Sequence, residues 1–159
     1  MYRKILVTSD GSAMCEAAFP HVAHLAAADA EVVLLSVTDS FERVLAQTSL
    51  GAAELAGPTA VTVATDSVEA QRVEAQQYLE RQAAELRALG LSNVTGRIES
   101  GSPGDEVVSI ARDEGFELIV MATHGRSGWK RALLGSVAEH VIRNSPGVPV
   151  LLVHPLEHE

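Results

Sequence analysis

The stretch Glu117-Leu-Ile-Val-Met-Ala-Thr-His-Gly-Arg-Ser-Gly-Trp-Lys-Arg-Ala-Leu-Leu-Gly-Ser136 decides the fold. Leu118, Ile119, Val120 and Met121 leave no polar face for water, so Glu117–Met121 reads as a strand buried on both sides, as in a parallel sheet. A glycine-rich loop follows. Ser136, with Glu139 three residues on, has the pattern of a capping box opening a helix over Ser136–Asn144. Val148–His154 then reads as the next strand. Two parallel strands joined through a helix require a crossover, which is right-handed in nearly all folds.

The same texture extends upstream. Lys4–Thr8, Glu31–Thr38 and Val94–Glu99 read as strands, giving five in all. Ser12–Ala28 reads as a helix with a kink or a late start at Pro20, because an interior proline removes a backbone hydrogen bond. Residues 66–89 form the clearest helix, with a polar face of Arg72, Gln76, Glu80 and Arg87 and a stop at Gly90. Ser102–Glu114 opens on Ser102 as cap, Pro103 in the first turn and Asp105 completing a capping box, and Gly115 ends it. This order predicts a three-layer α/β domain. No domain boundary or internal repeat interrupts residues 1–159, which are expected to form one domain. Residues 39–65, rich in Ala, Thr and Ser and broken by Gly51, Gly57 and Pro58, show little periodicity. They read as an irregular, flexible insertion, either a flap beside a ligand site or a tolerated loop.

Composition narrows the function. The 159 residues are 47% apolar but only 4% aromatic, so the core must be aliphatic. Cys15 is the single cysteine, which excludes an internal disulfide and fits a reducing compartment; it reads as a small helix residue. Ile5-Leu6-Val7 is too short for a signal peptide's apolar region or a membrane span, so a cytoplasmic protein without membrane insertion is expected. The net charge of −9 argues against nucleic acid as a partner. Residues 121–145 depart from that balance: Arg126, Lys130, Arg131 and Arg143 face Glu139 alone, a local charge of +3. A basic island in an acidic chain suggests a bound anion.

In open α/β sheets ligands bind beyond the carboxyl ends of the strands. After the first strand comes Thr8-Ser9-Asp10-Gly11-Ser12, where Asp10 suits either a turn or an acceptor for ligand hydroxyl or amine groups. In the opening stretch, Gly125 and Gly128 let a backbone approach a phosphate, and Gly135-Ser136 precede helix amides that favour an anion. The glycine spacing fits neither a P-loop nor a dinucleotide fingerprint. His124 suits a ligand contact or a turn position equally. His21 and His24 lack the further ligands of a metal site. No nucleophile elbow, paired carboxylates or water-activating base is recognisable, so a catalytic role is not expected.

Together these segments resemble the universal stress protein family, and specifically its ATP-binding signature Gly-x2-Gly-x9-Gly-Ser/Thr, which stands here as Ala122-x2-Gly125-x9-Gly135-Ser136. The opening Lys-Ile-Leu-Val with Asp-Gly-Ser, and the closing Pro-Val-Leu-Leu-Val, are also typical of it. The resemblance implies a five-stranded parallel sheet of order 3-2-1-4-5 that brings Asp10 beside the glycine-rich loop. It implies that Thr8, Ser9, Asp10 and the backbone near Val37 hold adenine and ribose. Met121, Ala122, His124, Gly125, Arg126 and Gly128 would line the path to the phosphates, and Gly135, Ser136 and Val137 would bind them. ATP, accompanied by Mg2+ or Mn2+, is the implied ligand, regulation in the stress response the implied role, and a homodimer through residues 148–154 the implied assembly. Ala122 replaces the signature's first glycine, which costs binding only if that position needs a positive φ or the closest approach. The alternatives are a dimeric interaction protein that binds no nucleotide, a slow ATPase, and a flavin carrier, the last disfavoured by the shortage of aromatics.

Overall fold

The structure, a computed structural model, describes residues 1–51, 58–123 and 135–154. Its elements run β1 (Tyr2–Thr8), α1 (Ala13–Glu16), α2 (Phe19–Leu25), β2 (Ala26–Thr38), α3 (Phe41–Gly51), α4 (Pro58–Ala88), β3 (Asn93–Ser100), α5 (Pro103–Asp113), β4 (Leu118–Ala122), α6 (Ser136–Asn144) and β5 (Val150–Val153). The strands form one sheet of order β3-β2-β1-β4-β5, and every pairing is parallel. The predicted fold class and strand order are therefore the observed ones.

Alternation along the central strands builds two cores. Ile5, Val7, Val32, Leu34, Leu118 and Val120 face α2 and α4, packing with Phe19, Val22, Leu79 and Leu86. Leu6, Val33, Leu35, Ile119 and Met121 face α5 and α6, packing with Val107, Ile110 and Val141. Ile5, Leu6, Val32, Leu34, Ile119 and Val120 are all 0% exposed. Burial on both faces is why these strands read as unbroken apolar runs.

Several boundaries differ from expectation for identifiable reasons. The first helix divides at Ala17–Ala18 into α1 and α2, and Pro20 lies in the opening turn of α2, where no amide hydrogen is needed. Strand β2 begins at Ala26, but regular pairing with β1 starts only at Lys4 and Glu31, after a register shift. Its first residues therefore escape the apolar pattern. Much of 39–65 is helical: α3 covers 41–51 and α4 begins at Pro58, with residues 52–57 outside the described residues. Neither capping box forms. Ser102 caps α5 without a side-chain hydrogen bond, because Asp105 instead meets His140 Nε2 at 2.9 Å. Gly135, not Ser136, is the cap of α6, and Glu139 pairs with Arg143 at 2.7 Å.

Close packing of α5 on α6 depends on Gly104. A Cβ built there would lie 2.7 Å from His140 Cδ2, closer than carbon atoms approach without displacement.

Candidate functional site

Strand order fixes where the site lies. From β1 the chain winds outward to β2 and β3, then returns across to β4 and β5. The carboxyl ends of β1 and β4 diverge at this reversal, and a crevice opens between the connections that leave them. Here it is a cavity of about 550 Å³.

Nine of the thirteen residues predicted for the site line this cavity. The end of β1 contributes Thr8, Ser9 and Asp10, and β2 contributes Val37. Met121 and Ala122 come from β4, and Gly135, Ser136 and Val137 from the start of α6. Segments more than a hundred residues apart in sequence are thus brought to one wall. His124, Gly125, Arg126 and Gly128 lie outside the described residues, as do Lys130 and Arg131 of the basic island.

The Asp10 loop is a tightly bonded turn. Asp10 Oδ1 accepts from Ser12 N at 3.0 Å, Ser12 Oγ at 2.7 Å and Cys15 Sγ at 3.0 Å. The bond from Ser12 N closes an Asx turn, which holds the carboxylate at the strand tip. Ser9 N donates to Leu35 O at 2.8 Å, extending the β1–β2 ladder to the rim of the cavity. Gly11 takes φ +79°, and a Cβ there would lie 2.6 Å from the Tyr78 ring. Only glycine suits both the conformation and the space. Cys15, read from sequence as a plain helix residue, is 5% exposed and lines the cavity. Burial, then its bond to Asp10, pushes its thiol up, so it is a neutral donor to the carboxylate rather than a thiolate.

The opposite rim belongs to α4. Gln71, Glu74 and Tyr78 line the cavity from one stripe of this helix. Gln71 Oε1 accepts Asp39 N at 3.3 Å, and the Tyr78 hydroxyl bonds Ser36 Oγ. Burial pushes the Tyr78 phenol up, keeping it a neutral hydrogen-bonding group. Sequence reading missed this wall. Its signal was a polar residue on each turn of the helix's inner face, beside the exposed face that was noticed. Thr123, also missed, is buried at the cavity and its Oγ1 lies 2.7 Å from His154 Nδ1.

The start of α6 supplies an anion-binding arrangement. Gly135 caps the helix at φ −59° and ψ 148°, and an added Cβ would meet no described atom within 4 Å. The amides of the first turn have no intrahelical acceptor, and the helix dipole places partial positive charge at this end. Ala122 lies in β4, paired in register with Val153. Extended backbone of this kind suits any residue, so the alanine carries no conformational penalty where the signature has glycine.

Acidic groups balance this end. Asp10, Asp39 and Glu74 all border the cavity, and Asp39 pairs with Arg43 at 3.3 Å. Among the described residues, no group of three or more His, Cys, Asp or Glu is placed to hold a metal ion, and no helix is long and apolar enough to cross a membrane.

Comparison with known proteins agrees with this geometry. The chain is 38% identical over 157 residues to universal stress protein MJ0577 of Methanocaldococcus jannaschii, covering 96% of this chain and 95% of that protein. The solved structure of MJ0577 superposes with a TM-score of 0.75 at 35% identity, covering 99% of both chains. A universal stress protein solved in complex with cAMP matches at TM-score 0.64 and 23% identity, over 96% of this chain and 97% of that one. One from Archaeoglobus fulgidus solved in complex with dAMP matches at TM-score 0.62 and 19% identity, over 95% of this chain and 97% of that one. The universal stress protein family itself matches residues 1–154. The strand order, the crevice at its reversal and these likenesses converge: the chain belongs to the universal stress protein family.

Proposed function

We propose that this protein binds ATP in the cavity at the carboxyl edge of its sheet and acts as a regulatory, non-catalytic nucleotide-binding protein. One observation carries the reading: the acidic tip of β1, the end of β2 and the amino end of α6 share a single cavity. The α6 end suits phosphates, and the polar rim of β1 and β2 suits a base and a ribose. In this reading Thr8, Ser9, Asp10 and Val37 hold the nucleoside, while Gly135, Ser136 and Val137 hold phosphate, joined by His124, Gly125, Arg126 and Gly128. Two family structures contain adenine nucleotides, cAMP and dAMP, which supports the choice of adenine. A divalent cation, Mg2+ or Mn2+, would be held chiefly by the phosphates.

Recognition rather than turnover is the role that Asp10 suits. Its Oδ1 is occupied by Ser12 and Cys15, which orients a carboxylate for accepting hydrogen bonds. Assembly is proposed through β5, the edge strand of the sheet, as a cytoplasmic homodimer whose shape reports nucleotide occupancy to a protein partner.

Titration with ATP-Mg2+ by calorimetry, repeated with AMP and cAMP, tests the proposal. Saturable one-site binding in the micromolar range, tightest for ATP, is expected. No heat with any of the three at millimolar concentration would overturn it.

A further inference from the structure

Gln82 is an anomaly in the core. It sits on α4 between Leu79 and Leu86, is 0% exposed, and lies beside a core built of apolar side chains. Its Oε1 accepts a 2.6 Å hydrogen bond from Ser9 Oγ. Its Nε2 is buried and finds no hydrogen-bond partner among the described residues. A buried amide with one end unpaired costs stability, and an aliphatic side chain of the same shape would fill the position at less cost.

The Ser9 contact gives the glutamine a purpose outside the core. Because Gln82 takes the Ser9 hydroxyl hydrogen, the lone pairs of Ser9 Oγ turn toward the loop, where they accept Gly11 N at 3.2 Å. Asp10 lies between these two residues. The bond from Gly11 to Ser9 thus adds to the bonds that the Asp10 carboxylate makes with Ser12 and Cys15 in holding the turn. The same stripe of α4 holds the neighbouring strand end through Tyr78 and Ser36. We infer that Gln82 is a positioning residue: it lies outside the cavity lining and acts through Ser9 to hold the Asp10 turn in its ligand-ready form.

The inference rests on the adenine-nucleotide reading for its affinity test, and a second readout is independent of that reading. Gln82→Met keeps length and volume and removes the acceptor. In the full-length protein the expected results are threefold. ATP-Mg2+ binding weakens about tenfold. The melting temperature of the nucleotide-free protein changes little, because removing the unpaired Nε2 offsets the loss of the Ser9 hydroxyl's acceptor. Hydrogen-exchange protection of the Gly11 amide, followed by NMR, falls about tenfold. The double variant Ser9→Ala/Gln82→Met binds no more weakly than Ser9→Ala alone, because both changes break one chain of bonds.

Unchanged Gly11 protection in Gln82→Met would overturn the inference, as would affinity losses that add in the double variant. A fall in melting temperature that accounts for the affinity loss would also overturn it, by reducing Gln82 to a packing role. If the native protein binds no nucleotide yet Gly11 protection still falls, the positioning role stands and the reading of the ligand fails.

Discussion

Gly135→Val separates the proposed ligand from the fold. The backbone at Gly135, φ −59° and ψ 148°, is open to any residue, and an added Cβ meets no described atom within 4 Å. Replacing glycine by valine at a helix cap costs up to about 1 kcal/mol. Restricting the unfolded chain returns about 0.4–1 kcal/mol. Stability should then change by less than about 1 kcal/mol, a shift of no more than about 2–4 °C in a chain of this size. The same side chain would add bulk at the amino end of α6, where phosphate is proposed to sit. Losing two charge-assisted hydrogen bonds there, at about 1.5 kcal/mol each, weakens binding by a factor on the order of 100. Calorimetric titration with ATP-Mg2+ beside a thermal melt of the nucleotide-free protein measures both quantities. Full affinity in Gly135→Val would refute the placement of phosphate at α6. A large drop in melting temperature would show that the glycine serves the fold instead.

Two further outcomes follow from the packing. Gly104→Ala should destabilise by about 1–3 kcal/mol, against the usual gain from replacing a helical glycine, because its Cβ meets His140 at 2.7 Å. His140→Ala in the same chain should recover most of that loss, and denaturant unfolding of the two single variants and the double variant checks it. Stability should also fall at alkaline pH. Cys15 and Tyr78 hold their protons more tightly in the folded protein than in the unfolded chain. Their contribution is therefore complete below the unfolded-state pKa values and fades as pH rises through the folded ones. As pH rises above about 8.5, where an unfolded thiol begins to ionise, the native protein should lose more stability than Cys15→Ser/Tyr78→Phe, and equal losses in urea melts would contradict this.

The sheet was legible because its strands are buried on both faces, which leaves runs such as Leu118–Met121 without a polar residue. The α3–α4 hairpin was not. Its contact side uses Ala60 and Ala64, one helical turn apart and 2% and 0% exposed, while Val61 and Val63 face outward at 46% and 40%. A search for large apolar residues at helical spacing finds neither pattern there. The failed capping boxes have a different cause. Asp105 and Glu139 carry the right spacing, but Asp105 meets His140, which local sequence does not display, and Glu139 pairs with Arg143 one helical turn on, an i,i+4 pattern that competes with the capping box.

The site divides along the same line. Its β1, β4 and α6 portions announce themselves through Asp10 and the glycines, although only the strand order places them together. Tyr78, Gln71 and Glu74 belong to a helix whose local pattern shows amphipathicity and nothing of which cavity it borders. Cys15 was read as a small helix residue because nothing in its local sequence shows that Asp10, five residues earlier, accepts from its thiol. In the structure that carboxylate accepts from both Ser12 and Cys15.

The central claim is that the cavity holds an adenine nucleotide. Freshly purified protein should be denatured and any released small molecule identified by chromatography and mass spectrometry. The account predicts ATP, or an adenine nucleotide derived from it, in the native protein and its near absence in Gly135→Val. A native protein that releases no nucleotide and takes up none at millimolar ATP-Mg2+ would contradict it.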